Sequence, residues 1–318
     1  MTSTHTNPFP VTVFGAAHID RLLRTNGTAI LGASNPGHMR DTVGGVALNI
    51  GSALARLGVP TRLVTRLGQD ESGNRVFKAA IDAGIDPAWI GRSKRYSTAT
   101  YHAVLDAAGS LVIGVADTHI YDEITPENLA GAFAAPANLW IADANLSEDT
   151  LAEIATRARA AGIPVAACAV SPSKAVRFAE ILRDVSIWFG NRGEAEAVLG
   201  RGYRDAPGPE LAAAMINAGV GAGFISDSKA PFAAWDGERK EMVKPFSVTR
   251  MSSVNGAGDA QAAGTVYGLS KGLPFLDALR YGLASAALKI ETEDPTRSDL
   301  TAPLLEARAA AGAEIATT

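Results

Sequence analysis

The chain has 318 residues, 47% hydrophobic and 19% charged, enough length and apolar content to bury a sizeable core and the composition of an ordinary globular protein. Lysine plus arginine is 29 and aspartate plus glutamate is 33, a net charge of −4 with no basic run, which argues against nucleic acid or an anionic membrane as partner and leaves small molecules, nucleosides and nucleotides included. Cys168 is the only cysteine and the five histidines show no HExxH spacing, so no internal disulfide, cysteine zinc site or histidine-held catalytic metal is expected.

The opening MTSTHTNPFP lacks the charged-then-apolar order of a signal peptide, and no stretch approaches the ~20 apolar residues of a membrane span, so the expected compartment is the cytoplasm. VTVFGAA (11–17) is a predicted buried strand, VALNIGSALARLG (46–58) a helix closed by Gly58, TRLVTRLG (61–68) a strand and GNRVFKAAIDAG (73–84) a helix. NLWIADA (138–144), the helix SEDTLAEIATRARAAG (147–162) and PVAACAV (164–170) continue the alternation. VSIWFG (185–190), GEAEAVLG (193–200), LAAAMINAG (211–219) and GFISDS (223–228) follow. Strand–helix alternation of this kind predicts an α/β fold, a mostly parallel sheet with helices on both faces. LLEARAAAGAEIATT at the C-terminus is expected to be a surface helix that frays.

Two segments break the rhythm. Residues 20–43 hold turn formers, Asn26-Gly27 and Ser34-Asn35-Pro36-Gly37, and residues 97–116 alternate like a hairpin around Asp106–Ser110. They fit either a small β-layer beside the main sheet or a pair of edge strands.

The chemistry concentrates in SSVNGAGDAQAAGTVYGL (252–269), where Gly256, Ala257, Gly258 and Asp259 precede a segment of helical composition. Glycines bring bare N–H groups to a helix start, where the dipole favours an anion. Asp259 would repel that anion if it served only to bind it, and makes sense as the acceptor of a proton from an attacking hydroxyl. The plainer reading is a helix cap after a glycine turn. In VGGVALNIGSALARLG (43–58), Gly44 and Gly45 open a helix and Asn49 lies on its first turns, within reach of a polar ligand or simply in a packed helix. No GxxxxGK[ST] P-loop is present, and the glycines at 219, 221 and 223 precede a strand, so the Rossmann reading fails its context.

These two stretches, with Gly68-x-Asp70-x-x-Gly73 after the first, resemble the paired signatures of the ribokinase (PfkB-type) carbohydrate kinases, and the similarity runs from Val11 to about Thr301. The resemblance implies one ribokinase-like domain over 1–318 with a β-lid from about 20–43 and 97–116, and transfer of phosphate from ATP, with Mg²⁺, to a sugar or nucleoside hydroxyl. It assigns Asp259 as the base and Gly256, Ala257 and Gly258 as the anion hole. Asp20, Gly44, Gly45 and Asn49 become substrate contacts. Asn191 and Glu194 match an NxxE element that organises magnesium and phosphate through water. Such lids often double as dimer surfaces, which makes a homodimer an expectation.

Within the family the chain is most similar to pseudouridine kinases. Ser34 and Asn35 precede the glycine pair as in those enzymes, Asp143 and Asn145 in IADANLSEDTL match an aspartate-x-asparagine element, and Thr98 and Tyr101 align with their lid strand. A strand there would put Thr98 and Thr100 on one face, reading a base or sugar, or merely presenting a β-branched surface.

Three positions depart from the pattern. Ser253 replaces the aspartate six residues before the catalytic one, in a region that shapes a monovalent cation site, which leaves potassium dependence open. In ISDSKAPF, Asp227, following Ser226, and Ala230 replace glycines of the nucleotide loop, and Cys168-Ala169 replaces an aspartate-proline pair. Pseudouridine is the leading acceptor; ribose, a ketohexose or another nucleoside is the alternative within the class. A nucleoside-binding protein without turnover is the alternative outside it.

Overall fold

The computed structural model describes residues 9–237 and 239–315; residues 1–8, in the opening segment expected to carry no signal peptide, and the last three of the expected C-terminal helix lie outside them. Thirteen strands are present among the described residues: β1 (Val11–Phe14), β2 (His18–Thr25), β3 (Gly37–Gly44), β4 (Thr61–Gly68), β5 (Ile90–Ser93), β6 (Thr100–Leu105), β7 (Leu111–Asp117), β8 (Leu139–Asp143), β9 (Val165–Cys168), β10 (Ile187–Asn191), β11 (Ala222–Ser226), β12 (Phe232–Asp236) and β13 (Arg239–Val243). Nine of them form one sheet in the order β13-β12-β11-β10-β9-β8-β1-β4-β5. Pairing is parallel from β11 to β5, and β12 and β13 are added antiparallel at one edge.

The central strands are apolar runs because both faces are covered. Along β8 the period of two sends Leu139 and Ile141 into one core and Trp140 and Ala142 into the other. The helices Val46–Arg56, Ala257–Ser270 and Phe275–Ile290 supply the first core, and Glu148–Ala161 and Gly208–Asn217 the second. Local chemistry sets the helix ends: Ser147 accepts from Thr150 N, and Gly162 closes the same helix at φ 67°.

The two irregular segments form a second sheet, β3-β2-β6-β7, so the small β-layer is the outcome and not a pair of edge strands on the main sheet. Strand β2 runs antiparallel to β3 and parallel to β6.

Elements without a sequence expectation include β5, the β12–β13 hairpin and the helix Phe275–Ile290. That helix buries residues all round, Ala278, Leu279, Leu283 and Ala284 among them, so it shows no apolar stripe. The C-terminal helix, expected at the surface, spans Ala302–Ile315 and is docked: Leu305 is fully buried, and Tyr267 Oη donates to Glu306 Oε1 at 2.6 Å. No described helix is long and apolar enough to cross a membrane.

Candidate active site

The helix Ala257–Ser270 starts at Gly256, whose φ of 78° is left-handed and favours glycine. A Cβ on Gly256 would lie 2.4 Å from the Pro295 carbonyl oxygen, so the close seat of this turn also needs glycine. No side chain caps the helix, and among the described residues the Gly258 and Asp259 amides have no acceptor. A Cβ on Gly258 would meet nothing within 4 Å, so the seat is open. Unpartnered N–H groups at the positive end of a helix fit a phosphate.

Asp259 stands half-buried in the first turn. Asn49 Nδ2 donates to its Oδ2 at 2.7 Å, and Thr296 Oγ1 donates to Asn49 Oδ1 at 3.3 Å, which sets the amide's orientation. Burial pushes Asp259 up to about 7; the Asn49 hydrogen bond opposes the rise, and the carboxylates of Asp143, Glu194 and Asp20 add to it. A carboxylate tuned near neutrality is suited to take a proton from a hydroxyl.

Beside it opens a cleft of about 340 Å³ lined by Asp20, Arg40, Gly45, Asn49, Tyr101 and Gly256, among others. Asp20 and Tyr101 are register partners on β2 and β6, which brings both to this cleft. His18 orients Asp20: Nε2 lies 3.1 Å from Asp20 Oδ1 and Nδ1 lies 3.2 Å from Tyr121 Oη, which donates to the Ala17 carbonyl oxygen at 3.0 Å. Gly44 leaves room for that carboxylate, since a Cβ would fall 2.3 Å from Asp20 Oδ2. Gly45, at φ 106°, passes within 2.5 Å of the Ala16 carbonyl oxygen by the same measure, and opens the Val46–Arg56 helix.

Other candidates fall around this centre. Asp143 ends β8 at 1% exposure, with Oδ2 accepting from Ala16 N at 2.8 Å and Ala47 N at 3.2 Å and Oδ1 from Asn145 N at 2.8 Å. It braces the β1 exit and the helix that carries Asn49; burial raises its proton affinity against these bonds. Asn145 Oδ1 accepts from Lys174 Nζ at 2.5 Å. Thr98 is 3% exposed and precedes β6, so it does not share a strand face with Thr100. Its Oγ1 donates to Asp70 Oδ1 at 2.6 Å and accepts from Gly68 N at 2.9 Å, tying down the Gly68-x-Asp70 turn. Burial alone would raise Asp70, and the bonds from Thr98 and Gly73 outweigh it and hold the carboxyl below its usual range. Thr100 opens β6 opposite Ile19.

Ser34 and Asn35 are not brought to this cleft. They lie in the loop beyond Thr25, five residues along β2 from Asp20, or roughly 17 Å. The Asn35 amide instead clips its own loop, bonding Ile30 N and the Ile30 and Ala33 carbonyl oxygens.

On the other side of the seat, Asn191 and Ser226 end the adjacent strands β10 and β11 in register. Asn191 Oδ1 accepts from Glu194 N at 3.0 Å while Glu194 Oε2 accepts from Asn191 N at 2.8 Å, a reciprocal cap that fixes both. Glu194 is 6% exposed and burial raises its proton affinity, so a carboxylate held here suits a neighbouring cation. Asp227 lies 3.8 Å from Arg192 Nη1, so the carboxylate that replaces a glycine has a guanidinium to offset it.

Sequence reasoning missed Arg40, His18 and Val170 at the cleft. Arg40, on β3, reaches Glu293 at 2.5 Å and Asp294 at 2.6 Å, joining the smaller sheet to the loop beside Pro295. Val170 has φ 68°, and Ser171 N donates to the Ala169 carbonyl oxygen at 2.8 Å, a tight three-residue turn at a β-branched residue. No sequence signal marks it.

A mostly parallel α/β sheet, unpartnered amides at a helix start and a half-buried carboxylate in its first turn fit a phosphotransferase acting on a small-molecule hydroxyl. Residues 10–302 match the profile of the pfkB family carbohydrate kinases, and the chain belongs to that family. It is 29% identical over 304 residues to the pseudouridine kinase of Escherichia coli, covering 91% of this chain and 93% of that one. A carbohydrate kinase from Agrobacterium tumefaciens superposes with a TM-score of 0.82 at 33% identity, covering 95% of this chain and 97% of that one. The ribokinase of Arabidopsis thaliana complexed with ribose and ATP superposes at 0.81 with 18% identity, over 95% and 99% of the two chains, a likeness of fold.

Proposed function

We propose that the protein phosphorylates the 5′-hydroxyl of pseudouridine with ATP and Mg²⁺. The observation that carries the catalytic part is Asp259, near neutrality and held by Asn49, beside unpartnered amides at a helix start. The acceptor rests on the similarity to a pseudouridine kinase, and Asp20 and Tyr101, which line one cleft, support a polar acceptor there.

In the reaction the acceptor oxygen attacks the γ-phosphorus and its proton passes to Asp259. The bond from the γ-phosphorus to the β,γ-bridging oxygen breaks, and ADP leaves with that oxygen. The Gly258 and Asp259 amides stabilise charge on the transferring group. Mg²⁺ supplies phosphate charge neutralisation when bound, with Glu194 and Asn191 as its holders through water. The smaller sheet, pinned by Arg40, acts as the lid that excludes competing water. Its edge strand β7 exposes Leu111, Ile113 and Val115, which suits pairing with a second copy and makes a homodimer part of the proposal.

A coupled ADP-release assay with pseudouridine, uridine, ribose and fructose side by side tests the reading. Turnover with pseudouridine alone is the expected result. Turnover with another acceptor keeps the kinase and discards pseudouridine. No turnover with any of the four by folded protein, joined to calorimetric binding of a nucleoside, favours a binding protein.

A further inference from the structure

Lys289 lies in the last turn of the Phe275–Ile290 helix and is 1% exposed, a burial that lysine rarely reaches unless its charge is paired. Its partners are backbone. Nζ donates to the Ser253 carbonyl oxygen at 3.1 Å and to the Thr292 carbonyl oxygen at 3.2 Å. Burial lowers its proton affinity, and the more distant charges of Asp294 and Asp259 oppose that.

The place of this ammonium matters because Ser253 begins the backbone that enters the anion seat. Ser252 N and Ser253 N both donate to the Ile290 carbonyl oxygen, at 2.8 and 3.2 Å, and Ser252 Oγ donates to the Glu291 carbonyl oxygen at 3.2 Å. Thr292 N and Oγ1 close back onto the Lys289 carbonyl oxygen at 2.9 and 3.0 Å. The chain leading to Gly256 is therefore stitched to the helix end, with the ammonium at the seam. A cavity of about 10 Å³ beside it, bordered by Lys289, Ser285, Ala260, Asn49 and Thr296, joins this seam to the partner of Asp259. Two carbonyl oxygens turned toward one point repel each other unless a cation lies between them.

We propose that Lys289 is a built-in cation for the anion seat. Its ammonium draws the Ser253 and Thr292 carbonyls together and so holds the 253–258 turn in the shape that presents the Gly258 and Asp259 amides. A tethered charge has no dissociation equilibrium, so the protein needs no free monovalent ion at this place. Lys289 acts through the backbone and is a positioning residue. The inference rests on the phosphoryl-transfer reading for its effect on rate, though not for its effect on the fold.

The test compares wild type, K289A and K289M in choline chloride, KCl and NH₄Cl at equal ionic strength, by ADP release at saturating pseudouridine and by thermal melts without substrate. Wild type is expected to be indifferent to the salt. K289A in choline should lose about 10²-fold in kcat, the scale of a lost oxyanion-hole contact, with acceptor KM changed by less than about twofold. KCl or NH₄Cl should restore at least about tenfold, because a free cation enters the vacated space. K289M fills that space without charge, so it should stay slow in every salt. In melts, potassium should stabilise K289A alone. Severalfold activation of wild type by potassium, a K289M kcat near wild type, or a K289A defect that no cation relieves would each overturn the proposal. Should wild type turn over no acceptor, the kinase reading fails and the melts decide: a potassium-specific rise confined to K289A sustains the cation assignment, and its absence removes it.

Discussion

The Asn49 amide donates to the Asp259 carboxylate across 2.7 Å, joining two helices whose residues stand 210 apart in the chain. The bond favours the ionised carboxylate, while burial among other carboxylates favours the protonated one and prevails. Two substitutions separate these influences. D259N removes the proposed base and should lower turnover by roughly 10²–10⁴-fold while leaving acceptor binding by calorimetry nearly unchanged. N49A removes the opposing bond. The acid limb of kcat/KM, expected near pH 7 in wild type from the value of about 7 at Asp259, should move to higher pH. A limb that stays in place would separate the base from Asn49.

The same carboxylate ties stability to pH. Asp259 rises from 3.8 to about 7 in the folded state, so between those values the folded chain binds more protons there than the unfolded chain. Its contribution is fully present below about pH 4 and is lost as pH climbs through about 7. D259N has no such charge to bury. In thermal melts its advantage over wild type should be near zero at pH 4 and grow toward pH 8, and an advantage that does not change with pH would contradict the shift.

At Gly44 the prediction concerns the acceptor. A Cβ would sit 2.3 Å from Asp20 Oδ2, so G44A should push the carboxylate out of the cleft. Losing a hydrogen bond to a charged group costs about 1.5–3 kcal/mol, so acceptor KM should rise about 10–100-fold with KM for ATP unchanged. Equal changes in both would place Asp20 outside acceptor binding.

Thr98 separates a structural part from a binding part. Its hydroxyl is shared between Asp70 and Gly68 N, so T98V takes the side-chain acceptor from Gly68 N and leaves Asp70 Oδ1 with only the Gly73 amide. Unfolding by denaturant should show a loss of about 1–3 kcal/mol, with the order of preference among acceptors unaltered. A switch in acceptor preference without a stability loss would return Thr98 to the binding surface.

Much of the layout follows from local chemistry. The segment 61–68, closed by Gly68, is a strand over those same residues, and the glycine-rich turn before Ala257 starts a helix that no side chain caps. Helix Phe275–Ile290 stayed hidden because burial all round erases periodicity, and the β12–β13 edge because Ala233, Ala234 and Lys240 give no strand alternation. The site divides the same way. Asp259, Asn49 and the paired glycines carry their chemistry in residue type and spacing, and Asp20 enters through the family resemblance, so the sequence alone determined which groups could act. Tertiary structure decided their company. It set Asn49 against Asp259, turned Thr98 toward Asp70 and brought Lys289 beneath the seat. Those outcomes depend on pairings across tens to hundreds of residues. Desolvation and hydrogen bonding at each meeting point are properties of the packed chain, and no local window of sequence contains them.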